Sequence, residues 1–191
     1  AMAKATIALV EANVSLAEDV IAADEAIDQY QHALDAKVID IMARQQPVAV
    51  DLRTLVASLR ISADLERMGD FAHHVARIAR MRYPERALSS ELIAVVSDLG
   101  AASARICTKT AYILQTMDIE QALELERDDD EVDRLHKQLF RILLDEKNTL
   151  PIETAIDTTL IGRYYERFAD HAVSVARRVY YLVTGEYASK E

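Results

Sequence analysis

The sequence predicts an all-α protein made of two tandem, sequence-related three-helix bundles, six long antiparallel helices in all. Three observations carry this reading. Among 191 residues there are four glycines, three prolines and no tryptophan, and Ala, Leu, Glu and Arg are abundant, the composition of helices with few turns. Apolar residues recur at helical spacing along nearly the whole chain. The stretch from Asp64 to Arg80, DLERMGDFAHHVARIAR, returns from Tyr164 to Tyr180 as YYERFADHAVSVARRVY. At a constant offset of 100 the identities are Glu66/Glu166, Arg67/Arg167, Asp70/Asp170, Ala72/Ala172, Val75/Val175, Ala76/Ala176 and Arg77/Arg177. An ungapped repeat of this length marks a duplicated unit.

The first unit is expected over residues 1–84 and the second over 85–191. In the first, a helix runs from Met2 to about Ala22, with Ile7, Val10, Val14 and Ala17 to Val20 on its apolar stripe, and the Asp24-Glu25 pair marks a helix boundary or a continuation. A second runs from about Asp24 to Arg44, with Ile27, Tyr30, Leu34, Val38 and Ile41 inward, and Pro47 ends it. The third runs from about Val50 to Arg82, with Leu65, Met68, Ala72, Val75 and Ala79 inward, and Pro84 closes it. The second unit repeats the plan, with helices from about Ser89 to Thr116, from Ile119 to Lys147, and from a turn at Asn148 to Pro151 onward to Val183. Gly185 is the C-terminal stop. Short turns between helices of this length make neighbours antiparallel. The second helices also align, at an offset of 105, through Asp24/Asp129, Asp28/Asp133, Leu34/Leu139 and Asp40/Asp145. The difference of five predicts a shorter connection in the second unit. The opening AMAKATIALV begins inside an amphipathic pattern with no cap, which points to a further segment upstream.

The net charge of −10 and the lack of a Lys/Arg cluster argue against nucleic acid, whose phosphates need a basic footprint. Cations and basic protein surfaces are the expected partners. A single cysteine, Cys107, cannot form an internal disulfide, which fits a reducing compartment, and it reads as a small buried group on a helix. No apolar run reaches the roughly 18 residues of a membrane span, and no signal peptide opens the chain, so a cytoplasmic location is expected.

Each unit carries two acidic pairs at i and i+4: Asp24/Asp28 with Glu66/Asp70, and Asp129/Asp133 with Glu166/Asp170. On a helix such pairs leave one face, one turn apart. If neighbouring helices turn them to the same side, four carboxylates converge, and their repulsion is relieved by a cation. Oxygen donors without thiolates suit Mg²⁺, Ca²⁺, Mn²⁺ or iron better than structural zinc. The plainer alternative is a solvated acidic face neutralised by Arg67, Arg77, Arg167 and Arg177. His73, His74, His136 and His171 could complete a site, though each alone reads as a surface or capping group. The Glu-x-x-His pattern of a di-iron bundle is absent, because Gly69 and Ala169 stand at its histidine positions. No nucleophile with a matching base, phosphate loop or dinucleotide fingerprint occurs. No catalytic or organic-cofactor residue is assigned, and the chain is not expected to be an enzyme.

Asp51-Leu52-Arg53, the run Asp64-Leu-Glu-Arg-Met-Gly-Asp70, the run Tyr165-Glu-Arg-Phe-Ala-Asp-His171, the end Val183-Thr-Gly-Glu186 and the DxxxD pairs at Asp24 and Asp129 closely resemble the PhoU family over essentially the whole chain. The resemblance implies two tandem three-helix bundles whose acidic pairs hold metal ions, with Mg, Mn, Fe and Zn all open. It also implies a cytoplasmic negative regulator of phosphate uptake and phosphate-starvation signalling. Such a regulator links the ATPase of a phosphate ABC transporter to a sensor histidine kinase, works as a homodimer, and meets the membrane only peripherally through its partners. Where the family reads GDHAxNIA, this chain has Phe71 and His74 in the first unit and Ala169 and Ser174 in the second. Two other readings compete: a metal-dependent phosphohydrolase, and a structural acidic adaptor without metal.

Overall fold

The computed structural model describes residues 1–187 and contains six helices and no strand among them. They are α1 (Met2–Glu11), α2 (Val14–Gln45), α3 (Ala49–Arg82), α4 (Ser90–Thr116), α5 (Ile119–Leu143) and α6 (Ile152–Thr184). None is long and apolar enough to cross a membrane.

The duplicated helices α3 and α6 form the central pair. They run antiparallel, with the end of α3 beside the start of α6 through Arg82 and Asp157, and the middle of α3 beside the end of α6 through Asp64 and Arg178. Small residues line their inner faces, Ala72, Ala76 and Ala79 on one and Ala169, Ala172 and Ala176 on the other, all buried. Small side chains let the helix backbones come close, and dense packing of this kind stabilises the pair through many weak contacts. The outer helix α2 lies on α3 and α5 lies on α6, while α1 and α4 pack against the central pair and each other. One continuous apolar core therefore runs through both repeats, from Leu9 of α1 through Leu99 and Ile106 of α4 to Leu125 and Leu139 of α5.

The first repeat is tied to the second at the Thr6 hydroxyl. It donates to the Met2 carbonyl oxygen at 2.9 Å and lies 2.6 Å from the hydroxyl of Tyr165, which is wholly buried. Gly100 of α4 leaves room for this bond, since a Cβ there would stand 2.4 Å from Thr6 Cγ2. Gly100→Ala is therefore expected to destabilise the fold by about 1–3 kcal/mol through overpacking. Thermal unfolding against the parent chain checks this.

Five local expectations are corrected. The first helix does not reach Ala22: it stops at Glu11, Ala12 takes a left-handed conformation, and the Asn13 side chain caps α2 by accepting from Leu16 N at 3.0 Å. The Asp24-Glu25 pair is then interior to α2. At the other end, α5 stops at Leu143, not Lys147. The Asn148 amide donates to the Ile142 carbonyl at 3.1 Å and Lys147 N donates to Asp145 Oδ1 at 3.0 Å, a local turn that competes with helix. The five missing residues thus come out of the helix: the loop at 144–151 is longer than its counterpart at 46–48. Tyr30 is 78% exposed and Leu65 lies at the edge, so the inward stripes of α2 and α3 are narrower than expected. Cys107 is exposed, because the buried stripe of α4 follows Leu99, Ser103, Ile106, Thr110 and Ile113 and leaves it outside.

Candidate metal centres

The carboxylates sit where an outer helix meets the central pair. In the first repeat Gly69 sets the approach of α2 to α3: a Cβ there would stand 2.9 Å from Ile27 Cδ1 and 3.2 Å from Asp24 Oδ1. Asp24 is thereby laid against the turn of α3 that carries Glu66 and Asp70. In the second repeat Gly162, one turn before Glu166, does the same for α5, where a Cβ would meet His136 Cδ2 at 2.9 Å and Leu139 Cδ1 at 3.2 Å.

The quartets are close enough to repel. Partial burial raises the pKa of Glu66, Asp70, Asp28 and Asp24 raise it further, and Arg67 opposes them. In the second quartet burial, with Asp133, Asp170, Asp130 and Glu166 adding to it, pushes Asp129 up to about 7. Asp170 is likewise raised by burial and by Glu166, against the pull of Arg167, Arg163 and His171. Both sets thus hold negative charge that the fold itself leaves unbalanced.

As placed, the side chains are drawn sideways. Arg67 Nη1 donates to Asp70 Oδ2 at 3.0 Å and its Nε lies 3.8 Å from Glu66 Oε2. Arg163 pairs with Glu166, and His73 Nδ1 bonds Asp24 Oδ2 at 2.6 Å. Among the described residues no three His, Cys, Asp or Glu side chains close around one point. The donor chemistry still fits a hard cation, with clustered carboxylates, no thiolate and a glycine at each approach. A cation entering either quartet would compete with the arginines for the same oxygens.

Of the four histidines singled out in the sequence, His73 alone is bonded to a quartet member, and its repeat counterpart Val173 has no donor, so the two sets are unequal. His74 stacks on Tyr164 with centroids 5.1 Å apart. His136 packs edge-on to Phe140 and its Nε2 is buried without a partner. His171 turns away to Asp64. Among the arginines, Arg177 reaches Glu126 of α5.

Sequence reasoning missed Asp64 as a structural centre. It is buried and accepts from Arg178 Nε at 2.7 Å and Ser174 Oγ at 2.9 Å, with His171 Nδ1 at 2.9 Å. At the far end Arg82 Nε donates to Asp157 Oδ2 at 2.5 Å, and Nη1 to Glu153 Oε2 at 3.1 Å. The available signal was a break in the repeat: Asp64 meets Tyr164 and Asp157 meets Ala57 at the offset of 100.

A pH dependence follows from Asp129. Its folded pKa of about 7 lies above its ordinary value of 3.8, so the folded state binds the proton more tightly than the unfolded chain. Stability is therefore highest at low pH with respect to this group, and it falls as pH rises from about 4 to about 7. After allowing for solvent screening, the metal-free protein is expected to lose roughly 1–2 kcal/mol over that window through this group. Asp129→Asn should recover that amount at neutral pH and flatten the profile, as denaturation at a series of pH values would show.

The PhoU domain family model matches residues 1–79 and again 96–179. The chain is 40% identical over 187 residues to "Phosphate-specific transport system accessory protein PhoU homolog 2" of Mycobacterium tuberculosis, covering 98% of this chain and 88% of that one. It is 38% identical to the PhoU homolog 1 of Mycobacterium leprae, covering 98% and 84%. The crystal structure of PhoU from Pseudomonas aeruginosa superposes with a TM-score of 0.90 at 31% identity, over 97% of this chain and 89% of that one. With two matches to one domain model, the duplicated α3/α6 pair and this breadth of likeness, the chain belongs to the PhoU domain family.

Proposed function

We propose that this protein is a negative regulator of phosphate uptake and phosphate-starvation signalling. In this reading it is a cytoplasmic adaptor, working as a homodimer, between the ATPase of a phosphate ABC transporter and a sensor histidine kinase. Its relatives' name, phosphate-specific transport system accessory protein, supports the transport side of the reading and a regulatory rather than catalytic role. The observation that carries the metal-dependent part is the paired carboxylate quartets, each repelling itself across two helices.

In this account Asp24, Asp28, Glu66 and Asp70 hold a divalent or transition cation in the first repeat, and Asp129, Asp133, Glu166 and Asp170 hold one in the second. A bound cation supplies positive charge that cross-links the outer helix to the central one. Arg67 and Arg163 hold the empty acids apart and in place. His73 orients Asp24 and gives the first site a nitrogen donor that the second lacks. The outer faces of α2 and α5, fixed in this way, are the surfaces whose state a partner reads.

The test is capture of the transporter ATPase and of the sensor kinase on immobilised protein, before and after chelation. Capture of both, weakened by the chelator and restored by Mn²⁺ or Mg²⁺, is expected. Failure to capture either partner in the metal-replete state would end the adaptor reading, and capture indifferent to chelation would end its coupling to metal.

A further inference from the structure

A groove of about 460 Å³ opens where the start of α3 crosses the end of α6. Leu52, Val56 and Ala57 of α3 give it an apolar wall, and Arg53, Arg60, Arg177 and Arg178 border it with no carboxylate among its lining. In a chain of net charge −10 this is a local reversal of sign. Two of the four cations are engaged, Arg178 with Asp64 and Arg177 with Glu126. Arg53 and Arg60 have no ion pair or hydrogen bond among the described residues, and Arg53 Nε is shielded from water without any acceptor. An unmet donor of this kind costs free energy unless something supplies the acceptor.

Arg53 is also held in position. Its guanidinium lies 5.8 Å from the centroid of the Tyr181 ring, and it packs on the left-handed cap Gly185, where a Cβ would stand 2.5 Å from Arg53 Nη1. The duplication provides an internal comparison. At the offset of 100, Arg53 meets Glu153 and Arg60 meets Leu160, and Glu153 is satisfied by Arg82 at 3.1 Å. The corresponding end of the central pair thus neutralises itself, so the fold does not require the unpaired charge at this end.

We propose that this groove binds a small organic anion with a flat apolar body, its charge held by Arg53 and Arg60 and its ring laid against Tyr181 and the apolar wall of α3. The volume lies in the range of roughly 300–1,000 Å³ that small organic ligands occupy. Guanidinium groups take phosphate or carboxylate through paired, charge-assisted hydrogen bonds. The Tyr187 ring is stacked on Tyr181 at 4.5 Å and 15°, a planar contact that the ligand's ring replaces.

Calorimetric titration of the full chain with adenosine 5′-monophosphate, adenosine and inorganic phosphate tests this. The monophosphate is expected to bind, and each of the other two more weakly, since each offers only half of the chemistry. Arg60→Gln, at an exposed position that leaves the fold intact, is expected to weaken monophosphate binding about tenfold, and Arg53→Gln at least as much. Arg80→Gln, at the other end of the pair, should leave binding unchanged. Binding that survived both Arg53→Gln and Arg60→Gln, or no binding by the parent chain, would overturn the proposal. Adenosine or inorganic phosphate matching the monophosphate would overturn it too. The Glu66→Ala/Glu166→Ala variant should bind the monophosphate like the parent; loss there would place the ligand on a cation at the quartets and not in this groove.

Discussion

Asp64→Ala is expected to be the most destabilising single change outside the apolar core, costing about 3 kcal/mol. The carboxylate is the acceptor for Arg178, Ser174 and His171 on α6, and its removal strands those donors where water has little access. Breaking a buried pair from one side costs roughly 3–5 kcal/mol. The loss falls at the lower end of that range because the Arg178 side chain keeps 29% of its surface exposed. For a chain of this length that is roughly 6–12 °C in Tm. Asp64→Asn keeps an acceptor of the same shape without the charge and should cost about half as much. Denaturant titration with both variants checks the order, and an Asp64→Ala protein as stable as the parent would remove Asp64 from the account of how the repeats are joined.

Cation binding is expected to produce the second largest effect. At a hundredfold excess over Kd, a cation that binds only the folded state adds about 2.7 kcal/mol, or roughly 5–10 °C in Tm for a chain of this length. Glu66→Ala with Glu166→Ala removes one ligand from each quartet and should reduce that shift by more than half. Both side chains are only partly buried, at 20% and 22% exposure, and neither belongs to the core, so helical content should stay as in the parent. Circular dichroism with and without Mn²⁺ reads both quantities in one experiment. An undiminished shift in the double variant would show these ligands to be wrongly assigned.

What the sequence makes legible is what repeats. Glu66/Asp70 and Glu166/Asp170 show their shared face at once, because i, i+4 spacing fixes direction on a helix without any tertiary information. Antiparallel packing makes the helices of Asp24/Asp28 and Asp129/Asp133 neighbours of these pairs, but the side they turn depends on helix rotation, which only the folded contacts at Gly69 and Gly162 show. The features that escape are those in which one residue acts alone. Asn13 starts a new helix because its side chain captures one backbone amide of α2, and periodicity passes over such a cap without a change. Asn148 shortens α5 by the opposite bond, its side-chain amide donating to the Ile142 carbonyl. Asp64 and Arg82 are hidden for the opposite reason: they lie where the two copies meet each other, and a surface between unlike faces is free to break the repeat. The groove beside Arg53 belongs to this class, since only the folded arrangement shows that its buried Nε has no acceptor among the described residues.

Metal analysis by mass spectrometry on freshly purified protein, paired with thermal unfolding in chelator and after return of Mn²⁺, Zn²⁺, Mg²⁺ and iron, tests the carboxylate quartets most directly. Near-stoichiometric metal, with a Tm that falls on chelation and recovers with one ion in preference to the others, is the predicted result. Protein that carries no metal and melts at the same temperature in every condition would contradict it and leave an acidic helical scaffold whose charges serve only solvation.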